Sequence, residues 1–238
     1  AQAAAAGSDL IIIASNEPTQ YKLIVQPQIK SVEELKGKRI GIDRIGGSSH
    51  YATRRMLEKL GLKSSEVEFL SITGGGSERV VAFRSGIVSA VASTIERFER
   101  AKVPYHYLAD AVEMGIRVIG SSFMTTRRFR DQNRELLQKF VRAVIEATHW
   151  IKEPKNHAEV ARVYGRYLRT DDTSVLELNY KLYVEPMALF PHTNVDDLQS
   201  NLTALAESNP KLRDLKVSEL VDNSFVRRVQ QEGVGQTR

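Results

Sequence analysis

Two glycine-rich turns, Gly46-Gly47-Ser48-Ser49 and Gly74-Gly75-Gly76-Ser77, leave this chain few ways to fold. Each follows a short β-type run, Arg39–Asp43 (RIGID) or Val67–Ile72, and each opens a run of helical character. After the first turn Ala52, Met56, Leu57 and Leu60 recur at helical spacing until Gly61 ends the pattern. The second turn leads into a helix ending near Arg84, and Ile87–Ala92 is strand-like again. The order β–GGSS–α–β–GGGS–α–β reads as two consecutive βαβ crossovers. Such crossovers are right-handed, so the three strands are parallel and both turns gather at their carboxyl ends.

That edge is where ligand chemistry is expected. Helix N-termini leave backbone N–H groups unpaired and carry partial positive charge, so they attract anions and polar oxygens. Two of them at one edge of a parallel sheet define a crevice, the usual ligand position in open α/β sheets. Ser48, Ser49 and Ser77 either add hydroxyls to that crevice or cap their helices, and the coincidence of two turns favours the crevice. His50, in the first turn of its helix, either donates to a bound oxygen or faces solvent. Ser93-Thr94, after Ile87–Ala92, either opens onto the same crevice or forms a polar turn. Arg44 and Arg117 are the arginines the pattern offers to a carboxylate or sulfonate.

Several chemistries are excluded. Neither turn fits G-x-x-x-x-G-K-[ST] or G-x-G-x-x-G, so a nucleotide fingerprint is unsupported, and no G-x-S-x-G elbow is present. Five histidines without metal-ligand spacing give no metal centre, and no cofactor is expected. With no cysteine there is no disulfide scaffold, thiolate site or cysteine nucleophile. The 34 Lys+Arg against 29 Asp+Glu give a net charge of +5, but the basic residues are scattered pairs such as Arg54-Arg55, Arg127-Arg128 and Arg227-Arg228. Scattered pairs are solvated helix faces; a nucleic-acid footprint is a stripe or patch. No apolar run approaches the ~18 residues of a membrane span.

The remainder is coarser. Leu10–Ser15 (LIIIAS) reads as a buried strand, Tyr21–Gln26 as an extended stretch broken by Pro27, and Ser31…Glu34 as a capping box for a short helix stopping at Gly37. Tyr105–Leu108 and Arg117–Thr126 read as strands. Beyond them the pattern is helical: Leu136, Leu137, Phe140, Val141, Val144, Ile145 and Ile151 form one apolar stripe with Asp131 as N-cap. Further helices are expected at Ala158–Leu168, Ser174–Val184, Val195–Ala206 and Asp222–Gln231.

The order of motifs resembles the type II periplasmic binding proteins, specifically the nitrate/sulfonate/taurine and NMT1/THI5-like group of ABC-transporter solute receptors. The resemblance rests on IKSVEELKGKRIGIDRIGGSSHYATRRMLEKLGL (Ile29–Leu62), GGGSERVVAFRSGIVSAV (Gly74–Val91), MTTRRF (Met124–Phe129) and DNSFVRRV (Asp222–Val229). It implies an α/β fold of two lobes joined by a hinge of two crossing segments, near Tyr21–Pro27 and Gly115–Phe123, and followed by a helical C-terminal part. Residues 1–26 would be a remnant of lobe 1, 27–115 lobe 2, and 116–238 the return to lobe 1 with the C-terminal helices.

The same resemblance implies a site. Ser48, Ser49 and His50 would clamp the ligand at a helix N-terminus, with Thr73, Gly74 and Gly75 lining the cleft beside Ser93 and Thr94. Ser15 and Asn16 would face them from the first lobe, and Ser121 and Ser122 would reach the ligand near the hinge. The implied protein is a monomeric extracytoplasmic (periplasmic) receptor, without catalysis, metal or membrane span. It would deliver a small polar or anionic solute (a sulfonate, nitrate, pyrimidine or aromatic acid) to an ABC-transporter permease. Two alternatives come with the group: an enzyme of the thiamine-pyrimidine-synthesis type, whose cysteine-rich motif this chain lacks, and the effector domain of a LysR-type regulator. Members of the group begin with two further strand–helix units, so Ala1–Gly7 is expected to be the end of a helix in an amino-terminally truncated chain.

Overall fold

The computed structural model describes residues 7–16, 19–119, 121–206 and 209–234. The alanine-rich opening, Ala1–Ala6, lies outside them. The chain divides into two compact units, Ala1–Pro18 with Ile119–Arg238, and Thr19–Val118. It begins in the first with β1 (Leu10–Ser15), enters the second, and returns.

The Thr19–Val118 unit contains β2 (Lys22–Val25), β3 (Arg39–Ile42), α1 (Ser48–Lys59), β4 (Glu68–Ser71), α2 (Gly76–Arg84), β5 (Ala90–Ser93), α3 (Glu96–Ala101) and β6 (His106–Asp110). Its sheet has the order β4-β3-β5-β2-β6. β3 is parallel to β4 and β5, as two βαβ crossovers require, and β2 runs antiparallel to β5 and β6. Because β2 is reversed, its first residue, Lys22, lies opposite both Ser93 and Asp110. The start of β2 therefore shares an edge with the carboxyl ends of the parallel strands.

The expected division at residues 26 and 115 shifts accordingly. Leu23, Ile24 and Val25 are fully buried between two partner strands, so Tyr21–Gln26 is sheet interior, and the chain changes units before Thr19 and after Val118. Gly41 is glycine for packing: a Cβ there would meet Val91 Cγ1 at 3.0 Å and Ile72 Cδ1 at 3.1 Å. One sheet face is filled by Val80, Phe83, Val88 and Phe98, the two rings edge-to-face at 5.0 Å. Met56 and Leu57 of α1 are fully buried as well.

Three local expectations change in this unit. Ser31 does not start a capping box; Val32 holds the N-cap position of a single 3₁₀ turn, Glu33–Leu35. The third parallel strand starts at Ala90, because Ile87 N–H still bonds the Ala82 carbonyl at the end of α2 (3.0 Å). The short helix α3 was not expected from the pattern of its residues.

The other unit pairs β1 with β7 (Ser122–Thr126), antiparallel from Leu10↔Thr126 to Ser15↔Ser122, and Ile12 also bridges Val221. Around this ribbon stand α4 (Arg127–Gln132), α5 (Arg134–Lys152), α6 (His157–Leu168), α7 (Thr173–Asn179), α8 (Val195–Ala206), α9 (Val217–Leu220) and α10 (Ser224–Gln231). Ile11 and Ile13 pack with Leu137, Val141 and Ile145 of α5 and Phe225, Val226 and Val229 of α10. Asp131 is not an N-cap. Thr126 caps α4 by accepting from Phe129 N–H (3.0 Å), and Asp131 pairs with Arg130 (2.8 Å). The helix expected through Val184 widens after Asn179 into a π-helical turn, whose region offers the carbonyls of Val184, Glu185 and Met187 to Lys152 Nζ at 3.3, 2.7 and 2.7 Å. Of the strand expected over Arg117–Thr126, only Ser122–Thr126 is extended pairing. Among the described residues no helix is long and apolar enough to cross a membrane, and no group of three His, Asp or Glu side chains is placed to hold a metal.

Candidate functional site

At the carboxyl edge of the Thr19–Val118 sheet, the first turn is built around Asp43. Gly46 takes a left-handed φ of +73°, and Gly47 is the N-cap of α1. The Asp43 carboxylate rests where a Gly47 side chain would stand, so any Cβ there would overlap it. Ser49, fully buried, accepts from Asp43 N–H (2.8 Å) and donates to Asp43 Oδ1 (2.6 Å). It is a strut tying the helix to the end of β3. His50 Nδ1 accepts from Gly46 N–H (3.0 Å), which puts the ring proton of the neutral form on Nε2. The ring packs edge-on to Phe69 at 4.7 Å; burial first, then Arg54, holds its pKa below the ordinary histidine value. His50 is therefore enclosed rather than solvent-facing. Ser48 alone of the three is exposed, its hydroxyl 3.0 Å from Tyr21 OH.

The second turn is exposed, with the Glu78 carboxyl group against it: a Cβ on Gly74 would meet Glu78 Cδ at 3.0 Å. Thr73, Gly74 and Gly75 are all exposed, with Gly74 and Gly75 at φ +105° and +119°. Gly76, first residue of α2, is covered by the Arg97 guanidinium, which lies where a Cβ would be. At the end of β5, Ser93 and Thr94 are buried. Thr94 Oγ1 donates to Glu96 Oε1 (2.8 Å), and that oxygen also holds Arg97 Nε (3.3 Å). Lys22 and Asp110 form an ion pair across β2 and β6, with the ammonium 4.5 Å from the Tyr107 ring centroid. Burial raises the Tyr21 phenol pKa, and Asp43, Arg79 and Arg97 all act on it, so these charges surround one point of the edge.

The structure thus brings Ser48, Ser49, His50, Thr73, Gly74, Gly75, Ser93 and Thr94 to one edge of one unit. Ser15, Asn16 and Ser122 sit in the other unit. There Ser15 Oγ is 2.9 Å from both Ser122 Oγ and Thr193 Oγ1, and Asn16 N–H bonds the exposed Ser121's carbonyl at 2.8 Å. Ser15 and Asn16 also line a cavity of about 220 Å³ walled by Phe123, Thr148, Ile151 and Met187.

Residues 2–158 match the family described as NMT1/THI5 like. The chain belongs to that family. No curated protein matches it by sequence. Among solved structures, this NMT1/THI5-like chain is similar to the alkanesulfonate-binding protein SsuA from Xanthomonas axonopodis pv. citri bound to MOPS, at 21% identity and TM-score 0.74, over 92% of this chain and 76% of that one. The periplasmic nitrate-binding protein NrtA from Synechocystis PCC 6803 is similar at 11% identity and TM-score 0.73, over 94% and 68%. The desulfurization enzyme DszB, solved as a cysteine-to-serine variant with biphenyl-2-sulfinic acid, is similar at 15% identity and TM-score 0.69, over 95% and 80%. The fold is that of type II periplasmic binding proteins, and it carries both solute receptors and an enzyme.

Two residues of this edge escaped the sequence reading, which offered Arg44 and Arg117; both of those are exposed. Arg44 lies in the first turn itself, and Arg79 and Arg97 also stand at the edge. A signal for Arg79 was present: with Gly76, Val80 and Phe83 it falls on the buried phase of α2, an odd place for a charge. Arg97 had none, since α3 itself was not foreseen.

Proposed function

We propose that this NMT1/THI5-like protein is the substrate-binding component of an ABC importer, working outside the cytoplasm and binding a small polar or anionic organic solute without chemical conversion. The observation that carries this reading is the carboxyl edge of the Thr19–Val118 sheet. There an exposed hydroxyl (Ser48), an exposed glycine turn (Thr73–Gly75) and arginine side chains collect in a fold shared with sulfonate- and nitrate-binding proteins. In this reading Ser48, Thr73, Gly74 and Gly75 meet the solute directly. Ser49, Ser93 and Thr94 hold the turns in shape, because their hydroxyls already serve the protein's own backbone and carboxylates, and His50 does so through Nδ1 while its Nε2–H stays available to the solute. Ser15, Asn16 and Ser122 are the ligand residues proposed for the first lobe, and the two chain passages near residues 18 and 119 act as the hinge. A monomer that releases its cargo to a permease completes the scheme.

The test is thermal unfolding of the full chain with a panel of nitrate, alkanesulfonates, an aminopyrimidine and aromatic acids. A cognate solute at 100 times its Kd stabilises by about 2.7 kcal/mol, a rise of roughly 5–10 °C for a chain of this size. A flat panel would sink the receptor reading. Conversion of a bound solute to product, followed by mass spectrometry, would replace it with an enzyme.

A further inference from the structure

The segment DNSFVRRV (Asp222–Val229) does more in the ribbon unit than supply Phe225, Val226 and Val229 to its core. Asp222 N–H bonds the Ile12 carbonyl (2.8 Å), which seats the segment beside β1. The next residue, Asn223, grips Thr193 at two points: its Oδ1 accepts from Thr193 N–H, and its Nδ2 donates to the Thr193 carbonyl, both at 2.9 Å. Thr193 is 2% exposed, and this grip fixes its hydroxyl 2.9 Å from Ser15 Oγ. Ser15 Oγ is in turn 2.9 Å from Ser122 Oγ. Three hydroxyls in a row hold three protons but only two hydrogen bonds, so one proton is left over at one end. At the Thr193 end it would be buried, with no further acceptor among the described residues. At the Ser122 end it belongs to a half-buried residue that solvent or a solute can reach. A buried O–H without an acceptor carries its full desolvation penalty, so the row runs one way: Thr193 donates to Ser15, and Ser15 donates to Ser122. Each bond also polarises the next and strengthens the last hydroxyl as a donor.

We infer that Ser122 is the serine of this unit that donates to the solute, and that Thr193, held by Asn223, is the positioning residue that turns the Ser122 proton outward. Ser15 is the relay: its single proton is committed to Ser122, so it has none to give a solute. The inference rests on the receptor reading and deepens it, since it separates the hydroxyl that meets the solute from the two behind it that set its direction.

The test has a part that needs no solute. In an equal mixture of light and heavy water, a slowly exchanging hydroxyl splits the NMR signal of its Cβ carbon in two, whereas a rapidly exchanging one gives a single averaged line. With serine and threonine carbon-labelled in the full chain, Thr193 and Ser15 should be split and Ser122 single. A split Ser122 signal would show its proton turned inward, and single lines from Thr193 and Ser15 would show that the row does not form; either result would overturn the inference. The second part is calorimetric titration of the full chain with nitrate and with methanesulfonate. Thr193→Val removes the first donor and lets Ser122 turn inward to Ser15, so it should weaken binding of a probe by about three- to tenfold. Thr193→Ser keeps the donor and should restore affinity to within about twofold of wild type. Unchanged or tighter binding by Thr193→Val, or an equal loss in Thr193→Ser, would overturn the inference and leave the receptor reading standing. If neither probe binds the wild type, the exchange pattern decides the inference by itself, and the receptor reading stands or falls with its wider panel.

Discussion

In the Thr19–Val118 unit helices pack on a five-stranded sheet, and Lys22, Asp43, Asp110 and Arg97 collect at one edge with the buried Arg79 left without an acceptor for its Nε. In the other unit a two-stranded ribbon is wrapped by helices, and its charges bind one chain segment to another. Arg127 pairs with Asp9, Arg130 with Asp222, and Arg142 with Glu232. Ion pairs join distant chain segments in the helical unit, whereas in the sheet unit the buried Arg79 has no ion pair with a described residue. That contrast separates surface ion pairs, each worth little on its own, from groups held ready for a partner.

The largest expected effects test whether the two cores are independent. Phe225→Ala in the ribbon unit and Phe98→Ala in the sheet unit each remove a fully buried ring and should cost about 3–5 kcal/mol. Hydrogen exchange read amide by amide should speed up mainly in the unit that carries the substitution. If Phe98→Ala freed the β1–β7 amides as strongly as those of β3 and β5, the division into two units would not be an energetic one.

A smaller effect tests how the glycine turn is made. Gly47 has φ −84°, which alanine adopts without strain, so Gly47→Ala acts only through overlap with the Asp43 carboxylate. Displacing that carboxylate from Ser49 should cost about 1–3 kcal/mol. Gly47→Ala combined with Asp43→Ser should recover part of the loss in a urea titration. No recovery would mean that the glycine is needed for something other than room.

Much of the sheet unit was legible because its signals are local. RIGID and the two glycine turns mark strand ends and helix starts within a few residues, and the parallel order follows from handedness alone. The placement of β2 was not legible. Nothing in Lys22–Val25 says that it runs antiparallel between β5 and β6, since its partners lie some 65 and 85 residues along the chain. In the ribbon unit the helical stripe of α5 was plain from its period, but the π-helical turn after Asn179 ends on carbonyls bonded by Lys152, a contact across roughly 30 residues that no local pattern announces. The edge itself shows the same limit. Ser48 and the glycines could be placed by motif, whereas roles for Ser49 and His50 turned on whether their polar atoms were already engaged, which only packing decides.

The smallest expected effect separates the units by pH. Burial, then Arg54, keeps the folded-state pKa of His50 below its unfolded value near 6.5, so the folded sheet unit holds this ring neutral while the unfolded chain takes up a proton. The contribution is fully present above about pH 6.5 and is lost as pH falls toward the folded-state pKa. In the ribbon unit the depressed groups are Asp9, Asp131 and Glu159, each held down chiefly by hydrogen bonds, and their contributions persist until pH drops to about 4. Between pH 7.5 and 5.5 the exchange protection of β3 and α1 should therefore decline through His50, while those carboxylates leave the β1–β7 ribbon unaffected. His50→Gln can still accept from Gly46 N–H without titrating, so it should flatten the decline in β3 and α1. Equal protection of β3 and α1 in the wild type at the two pH values would remove His50 as the cause and leave the turn to Asp43 and Ser49 alone.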